Sequence, residues 1–394
     1  MHCFPFVKCF INLELTYNRK TVNTLRICYL ANASSVHTNK WAKFFVSKKH
    51  EVHVISFESA QIEDATVHVL KLPVLVKNAT YPFKIASIYR IQDLIKKIEP
   101  DILHAHFVTN YGLFGALCNF HPFVLTAWGS DILVTPDARF LSKIKRHIAK
   151  FALSKADLTT CDAEHMKDAM KRLGVSLEKI SLIHFGIDTK KFSPRQKSEK
   201  LKARLGTNDA PTVISLRNLN PLYDVESLVK SAPLVLKEIP ETKFIIAGKG
   251  SEEEKLRQLT KSLGIADSVK FIGFIQNDEL PEYLNTMDVY VSTSLSDAGI
   301  AASTAEAMAC GLPVIVTNVA DNKKWVEDEV NGFVIPIKDP KSLAEKIIYL
   351  LKNEDIRKEF GKISRKIIEE RNEYYKEMEK MEYIYEQLVL RHKK

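Results

Sequence analysis

Glu306 and the small residues ahead of it are the part of this 394-residue sequence best suited to chemistry. The run Gly299-Ile300-Ala301-Ala302-Ser303-Thr304 has side chains small enough to leave its backbone N–H groups open to a ligand. Where such a run opens a helix, the unpaired amides and the positive end of the helix dipole suit a phosphate. Glu306, one turn in, is placed to accept hydrogen bonds from two neighbouring hydroxyls of a ribose. Taken alone, the stretch also fits any α/β helix with a loose N-terminus. His104 and His106, two apart on a strand, turn both rings to one face. No third ligand stands near them, so no metal site is expected.

These residues need elements to hold them. Val289 to Thr293 and Pro313 to Thr317 are β-branched runs that read as buried strands on either side of the helix bearing Glu306, which Gly311 and Pro313 stop. Upstream, Leu25 to Leu30, a loop at Ala31 to Thr38, a helix around Trp41 to Lys48 and a strand at Glu51 to Phe57 form a β-loop-α-β unit. The helix near Ile85 to Ile98 and the strand Asp101 to His106 repeat it, followed by strands at Phe123 to Thr126 and Ala156 to Thr160. After a charged stretch at Lys190 to Arg204 the pattern restarts at Thr212 to Arg217, Lys243 to Gly250 and Val269 to Ile275. Alternation of this kind specifies an α/β chain with parallel sheets, whose ligands gather at the carboxyl ends of strands.

The length fits two domains. The 45% hydrophobic and 27% charged content is that of a globular chain, and the net charge of +9 favours acidic partners, from nucleotide-linked substrates to anionic lipid. No reading helix or aromatic platform supports nucleic acid. The six cysteines show no metal or disulfide spacing and suit a reducing compartment. No run approaches the roughly 18 apolar residues of a membrane span, and residues 1–24 read as an extension ahead of the first domain. From Arg139 to Ala152, apolar Phe140, Leu141, Ile144, Ile148 and Phe151 recur at helical spacing against Arg139, Lys143, Lys145, Arg146, His147 and Lys150, without an acid. Such a helix suits an anionic membrane surface and equally a solvated face.

Glu306-Ala307-Met308-Ala309-Cys310-Gly311-Leu312-Pro313-Val314 resembles the donor signature of the GT-B glycosyltransferases, in particular the retaining family 4. Asp101 to His106 and Ile180 to Pro194, with Gly186, Asp188, Phe192 and Pro194, carry the likeness over about residues 25 to 370. The resemblance implies two facing Rossmann-like domains with an interdomain cleft: an acceptor domain at 25–190, a nucleotide-sugar domain at 191–372, and a helix at 373–394 crossing back. It implies that Arg217 meets the donor diphosphate, that Gly273, Phe274 and Ile275 meet the nucleobase, that the amides from Gly299 to Thr304 receive phosphate, and that Glu306 holds the ribose. On the acceptor side it points to Ser34, Ser35, His37, His104, His106, Trp128 and Asp131; for Ser34 and Ser35 a helix N-cap is the competing role.

Three positions depart from the family. The usual first acid stands eight before Glu306, where this chain has Ala298 with Asp297 one place earlier; Trp128 replaces a histidine; and Tyr223 stands where a lysine is usual. Asp297 is then the candidate sugar contact, Lys249 the candidate replacement cation, and Trp128 an aromatic face for a sugar ring. The expected activity is retaining sugar transfer from a nucleotide-sugar to a glycan or lipid-linked hydroxyl in the cytoplasm, at the inner membrane face, with no cofactor. The departures keep a non-catalytic subunit binding a nucleotide-sugar or a partner transferase as the alternative. A sugar-nucleotide epimerase would use similar architecture.

Overall fold

The computed structural model describes residues 24–70, 87–129, 131–133, 139–297 and 299–393, with the side chains of 139–142 left out. The expected extension over residues 1–24 falls almost wholly outside them, as do Ala298 and the start of the helix expected from Ile85.

Among the described residues thirteen strands form two sheets. The first contains β1 (Arg26–Leu30), β2 (Glu51–Ser56), β3 (Thr66–Val69), β4 (Ile102–His106), β5 (Phe123–Thr126), β6 (Leu158–Cys161) and β7 (Ile180–Leu182) in the order β3-β2-β1-β4-β5-β6-β7. The second contains β8 (Thr212–Ser215), β9 (Lys243–Ala247), β10 (Val269–Gly273), β11 (Val289–Ser292), β12 (Val314–Thr317) and β13 (Gly332–Ile335) in the order β10-β9-β8-β11-β12-β13. Neighbouring strands pair in parallel throughout both sheets. Parallel strands need crossovers, which cover both faces of a sheet and explain why β4, β5, β8, β11 and β12 are buried along their whole lengths.

Strand order reverses between β1 and β4 in one sheet and between β8 and β11 in the other. Loops diverge at such points and leave a crevice. Ser34, Ser35, His37 and His106 follow β1 or end β4, while Arg217 and Asp297 follow β8 and β11, so topology alone places both residue sets at crevices.

Two passages of chain join the halves, and they run side by side. Ile187 N–H donates to Asn372 O, Tyr374 N–H donates to Ile187 O, and Gly186 N–H donates to the Asn372 side chain. Gly186 has φ +71, and a Cβ there would lie 2.5 Å from the Tyr374 Cα, so the approach requires glycine. The helix Tyr374–His392 then packs on the first sheet, with Met378, Met381 and Tyr385 buried among Tyr29, Trp41, Phe44 and Phe45.

The helix Ala302–Ala309, between β11 and β12, is clamped at its far end. Gly311 follows it with φ +74, and the helix Glu354–Arg371 crosses so closely that a Cβ on Gly361 would strike the Gly311 carbonyl oxygen. Arg365, one turn on, donates to Ala309 O at 2.6 Å, to Thr189 O at 2.8 Å and to Phe192 O. A cation therefore satisfies the last carbonyl at the negative end of this short helix and ties it to the linker. Gly361→Ala, by overpacking this contact, is expected to lower stability by about 1–3 kcal/mol in urea unfolding; an unchanged midpoint would show that the two backbones are not in contact.

Candidate active site

Thr304 and Ala305 are the first residues of the helix Ala302–Ala309 to bond back, both to Ala301 O. The amides of Ala302 and Ser303 ahead of them have no intrahelical acceptor, which is the geometry of an anion cradle. The hydroxyls play another part. Tyr290, buried on β11, is hydrogen-bonded to Ser303 Oγ at 2.8 Å, and Thr304 Oγ1 donates to its hydroxyl at 3.3 Å. They anchor the helix start inward, Ile300 and Ala301 are buried beside them, and the backbone is left to meet a ligand.

Glu306 lies on the second turn, only 8% exposed. Burial pushes its carboxyl up to about 7, while the Lys40 and Lys191 cations oppose the rise. Lys40 belongs to the first domain. Its ammonium donates to Gly186 O at 3.3 Å and lies over the Tyr374 ring, and burial holds its pKa below the usual lysine value against the pull of Glu306 and Asp188. Lys191 is held by Asn277 and Asp278. Sequence reasoning missed both lysines, because nothing in their local pattern links them to position 306.

Arg217, at the end of β8, is buried and donates to Asp297 Oδ1 at 2.5 Å. Tyr223 lies under its guanidinium, 4.4 Å from ring centroid to Cζ. At the position of the missing lysine, then, the tyrosine orients Arg217 by cation–π contact and adds no charge. Arg217 Nε and Asp297 Oδ2 are buried without a hydrogen-bond partner, so the pair keeps one donor and one acceptor unspent. Burial raises the Asp297 carboxyl, and Arg217 draws it back. Lys249 is exposed at the end of β9, its Cε 3.8 Å from where a Cβ on Gly273 would lie, alongside exposed Phe274 and buried Ile275. The structure thus gathers Arg217, Asp297, the start of the helix at 302 and Glu306 about one crevice, with Lys249 and residues 273–275 on adjacent strand ends.

On the facing domain Ser35 is the N-cap residue of the helix Val36–Ser47 but makes no side-chain capping bond, and Ser34 Oγ donates to Asn32 Oδ1 at 2.7 Å. His37 stacks on Trp128 at 4.4 Å and 26°, covering one of the two faces of the indole. Cleft walls and the Lys40 charge lower the His37 pKa even though the ring reaches solvent. Trp128 packs against apolar residues of both domains. Asp131 binds the backbone: its carboxylate accepts from Val108 N–H at 2.8 Å and Trp128 N–H at 3.1 Å, pinning the loop after β5 to the one after β4. His104 is sealed in the core, with one nitrogen bonded to Tyr385 and the other to Thr126, so it supports the sheet instead of facing the cleft. His106 is buried with both nitrogens unpartnered, among Tyr29, Trp41 and Trp128, and burial pushes its pKa down to about 3.

With the geometry established, comparison with known proteins assigns the family. Residues 26–163 match the model of the "Glycosyl transferase 4-like" domain and residues 197–367 that of "Glycosyl transferases group 1". The chain is a group 1 glycosyltransferase of the GT-B fold. It is 24% identical over 378 residues to N-acetyl-alpha-D-glucosaminyl L-malate synthase of Bacillus anthracis, covering 91% of this chain and 95% of that one. It is 25% identical over 318 residues to the UDP-Gal:alpha-D-GlcNAc-diphosphoundecaprenol alpha-1,3-galactosyltransferase of Escherichia coli, covering 77% and 80%. Anabaena HepE, solved with UDP and with UDP-glucose, superposes with TM-scores of 0.78 and 0.76 at 20% identity, covering 92% of this chain and all of HepE.

Burial of Glu306 has a measurable sign. Its folded pKa near 7 exceeds the usual 4.5, so the folded state holds this proton to higher pH than the unfolded chain does. Ionising it therefore destabilises the ligand-free fold progressively from pH 4.5 to about 7, by roughly 3 kcal/mol in all. Glu306→Gln lacks this penalty. Urea unfolding is expected to show the variant gaining stability over the wild type between pH 5 and pH 8, and a pH-independent difference would contradict the assignment.

Proposed function

We propose that this glycosyltransferase takes its sugar from a nucleoside diphosphate sugar bound on the second domain and passes it, with retention, to a hydroxyl of a glycan or lipid-linked acceptor on the first. The observation that supports this best is the convergence of three groups on one crevice: the open amides at the start of the helix Ala302–Ala309, the buried Arg217, and Glu306. Fixed amides and a guanidinium stabilise the charge that grows on a departing diphosphate, and they need little reorganisation to do so. Lys249, Lys40 and Lys191 add further positive charge around the crevice, and the proposal includes no metal cofactor. Glu306 accepts from the ribose hydroxyls, and its ionised form is the better acceptor. Asp297, held by Arg217, accepts from a hydroxyl of the donor sugar through its free oxygen.

The lipid-linked acceptor is supported by the E. coli relative, whose name specifies a diphosphoundecaprenol substrate, and by the helix Arg139–Lys155. There Ile144 and Phe151 stand exposed among exposed Lys143, Lys145, Arg146 and Lys150. Among the described residues no helix is long and apolar enough to cross a membrane, so contact would be through this face at the cytoplasmic surface. A subunit that binds the donor without turnover is the second reading, favoured by Ala298.

Incubation with UDP-, GDP- and ADP-sugars, reading thermal shift and nucleotide release, tests the proposal. One donor is expected to stabilise the protein and release nucleotide slowly, Arg217→Ala to slow release by about 10²–10³-fold, and Glu306→Ala to weaken donor binding by roughly tenfold or more. Stabilisation without release, even with lipid extract present, would favour the binding subunit. For the membrane contact, binding to phosphatidylserine vesicles measured by sedimentation is expected to weaken by about 1 kcal/mol for each of Lys145 and Arg146 changed to Gln; equal binding by the variants would remove the helix from consideration.

A further inference from the structure

The donor loop carries alanine at position 298, and Asp297 beside it is engaged with Arg217. Another carboxylate approaches the next residue, Gly299, from the opposite domain. Asp162 follows β6 in the first sheet, and its Oδ2 lies 3.7 Å from the place a Cβ on Gly299 would take. Its other oxygen, Oδ1, is buried and has no hydrogen-bond partner. The backbone of the same residue is engaged by the fold: His184 Nδ1–H donates to Asp162 O at 2.8 Å. A buried carboxylate oxygen left unpaired is destabilising, and where it faces a cleft it marks a ligand position.

The surroundings narrow the ligand. His165 and Asp321 pair with each other at 3.3 Å, and Glu164 N–H donates to Asp321 Oδ2 at 3.1 Å, closing the outer rim between the domains. Asp131, on the other side, is committed to Val108 and Trp128. These acids make the pocket hostile to phosphate and suited to neutral hydroxyls. Gly299, with no side chain, lets the loop come close: a Cβ there would be 3.3 Å from that of Ala163.

We propose that Asp162 supplies, from across the cleft, the carboxylate that the donor loop lacks at position 298, accepting a hydrogen bond from a hydroxyl of the donor's hexose. This makes Asp162 a sugar-recognition residue and makes the sugar site complete only when the two domains face each other. The inference rests on the donor reading above. Burial pushes the Asp162 carboxyl up to about 6, against the opposing influence of His165, so its acceptor strength rises as pH passes through that value. Asp321 and Asp131 face it as further titratable groups, and Cys161 adjoins it on the strand.

The test compares UDP with UDP-glucose by titration calorimetry on the full chain, with GDP and GDP-mannose as the second pair. Asp162→Asn, nearly isosteric, is expected to bind the nucleotide as the wild type does and the nucleotide-sugar at least tenfold more weakly, the loss shrinking below pH 6. Nucleotide and nucleotide-sugar weakened alike would show a merely structural role and overturn the inference, as would no change in either. The double variant Asp162→Ala with Ala298→Glu, returning a carboxylate to the loop, is expected to regain most of the difference; no recovery beside an intact melting temperature would count against a shared role. A wild type that binds neither pair would overturn the donor reading and this inference with it.

Discussion

The clamp on the helix Ala302–Ala309 is the constraint on which the site depends. Eight residues are too few for a helix to be stable alone, so its direction must come from tertiary contact. The backbone approach of Gly361 to Gly311 fixes its distal end, Arg365 ties its last carbonyl to the linker, and Tyr290 fixes its start through Ser303 and Thr304. Only with both ends held do the free amides point at a constant place. Cation binding at the carboxyl end also leaves the amino end the positive one, where a diphosphate would sit.

Charge in the cleft is arranged with few pairings of its own. Arg217 and Asp297 neutralise each other yet each retains an unused polar atom, and Glu306 has two lysines acting on it, one of them from the other domain. Burial strips water from the carboxyls at 297 and 306 and so raises them, and an arriving ligand can supply the hydrogen bonds that are missing. Glu306, desolvated by the fold, becomes a hydrogen-bond acceptor once a polar ligand replaces the lost water.

The first domain contributes walls more than reacting groups. His104 is absorbed into a buried chain with Tyr385 and Thr126, which couples the returning helix Tyr374–His392 to β4 and β5. Asp131 fixes loop backbone, and His37 covers the face of Trp128. Residues with catalytic side chains can thus act as scaffolding, and partner inventory, not residue type, separates the two roles.

The alternation of β-branched runs with helical segments was enough to specify parallel α/β sheets, because strands buried on both faces must be apolar throughout. The run from Glu306 to Val314 carried the family likeness, and within it Gly311 and Pro313 end the helix for reasons of local backbone geometry. Tyr223 and Asp297 were visible as departures, but their pairing with Arg217 was not: a cation–π stack and an ion pair between separate strand ends depend on which strands become neighbours. Lys40, Lys191 and Asp162 were silent for the same reason. Their local patterns are those of ordinary surface residues; Lys40 and Asp162 acquire a role only when the sheets face each other across the cleft, and Lys191 only when the linker packs beside Asn277 and Asp278. Local propensity determined the elements and the helix that carries Glu306; the tertiary arrangement decided which charges share its low-dielectric space, because electrostatic interaction depends on distance in three dimensions and not on separation along the chain.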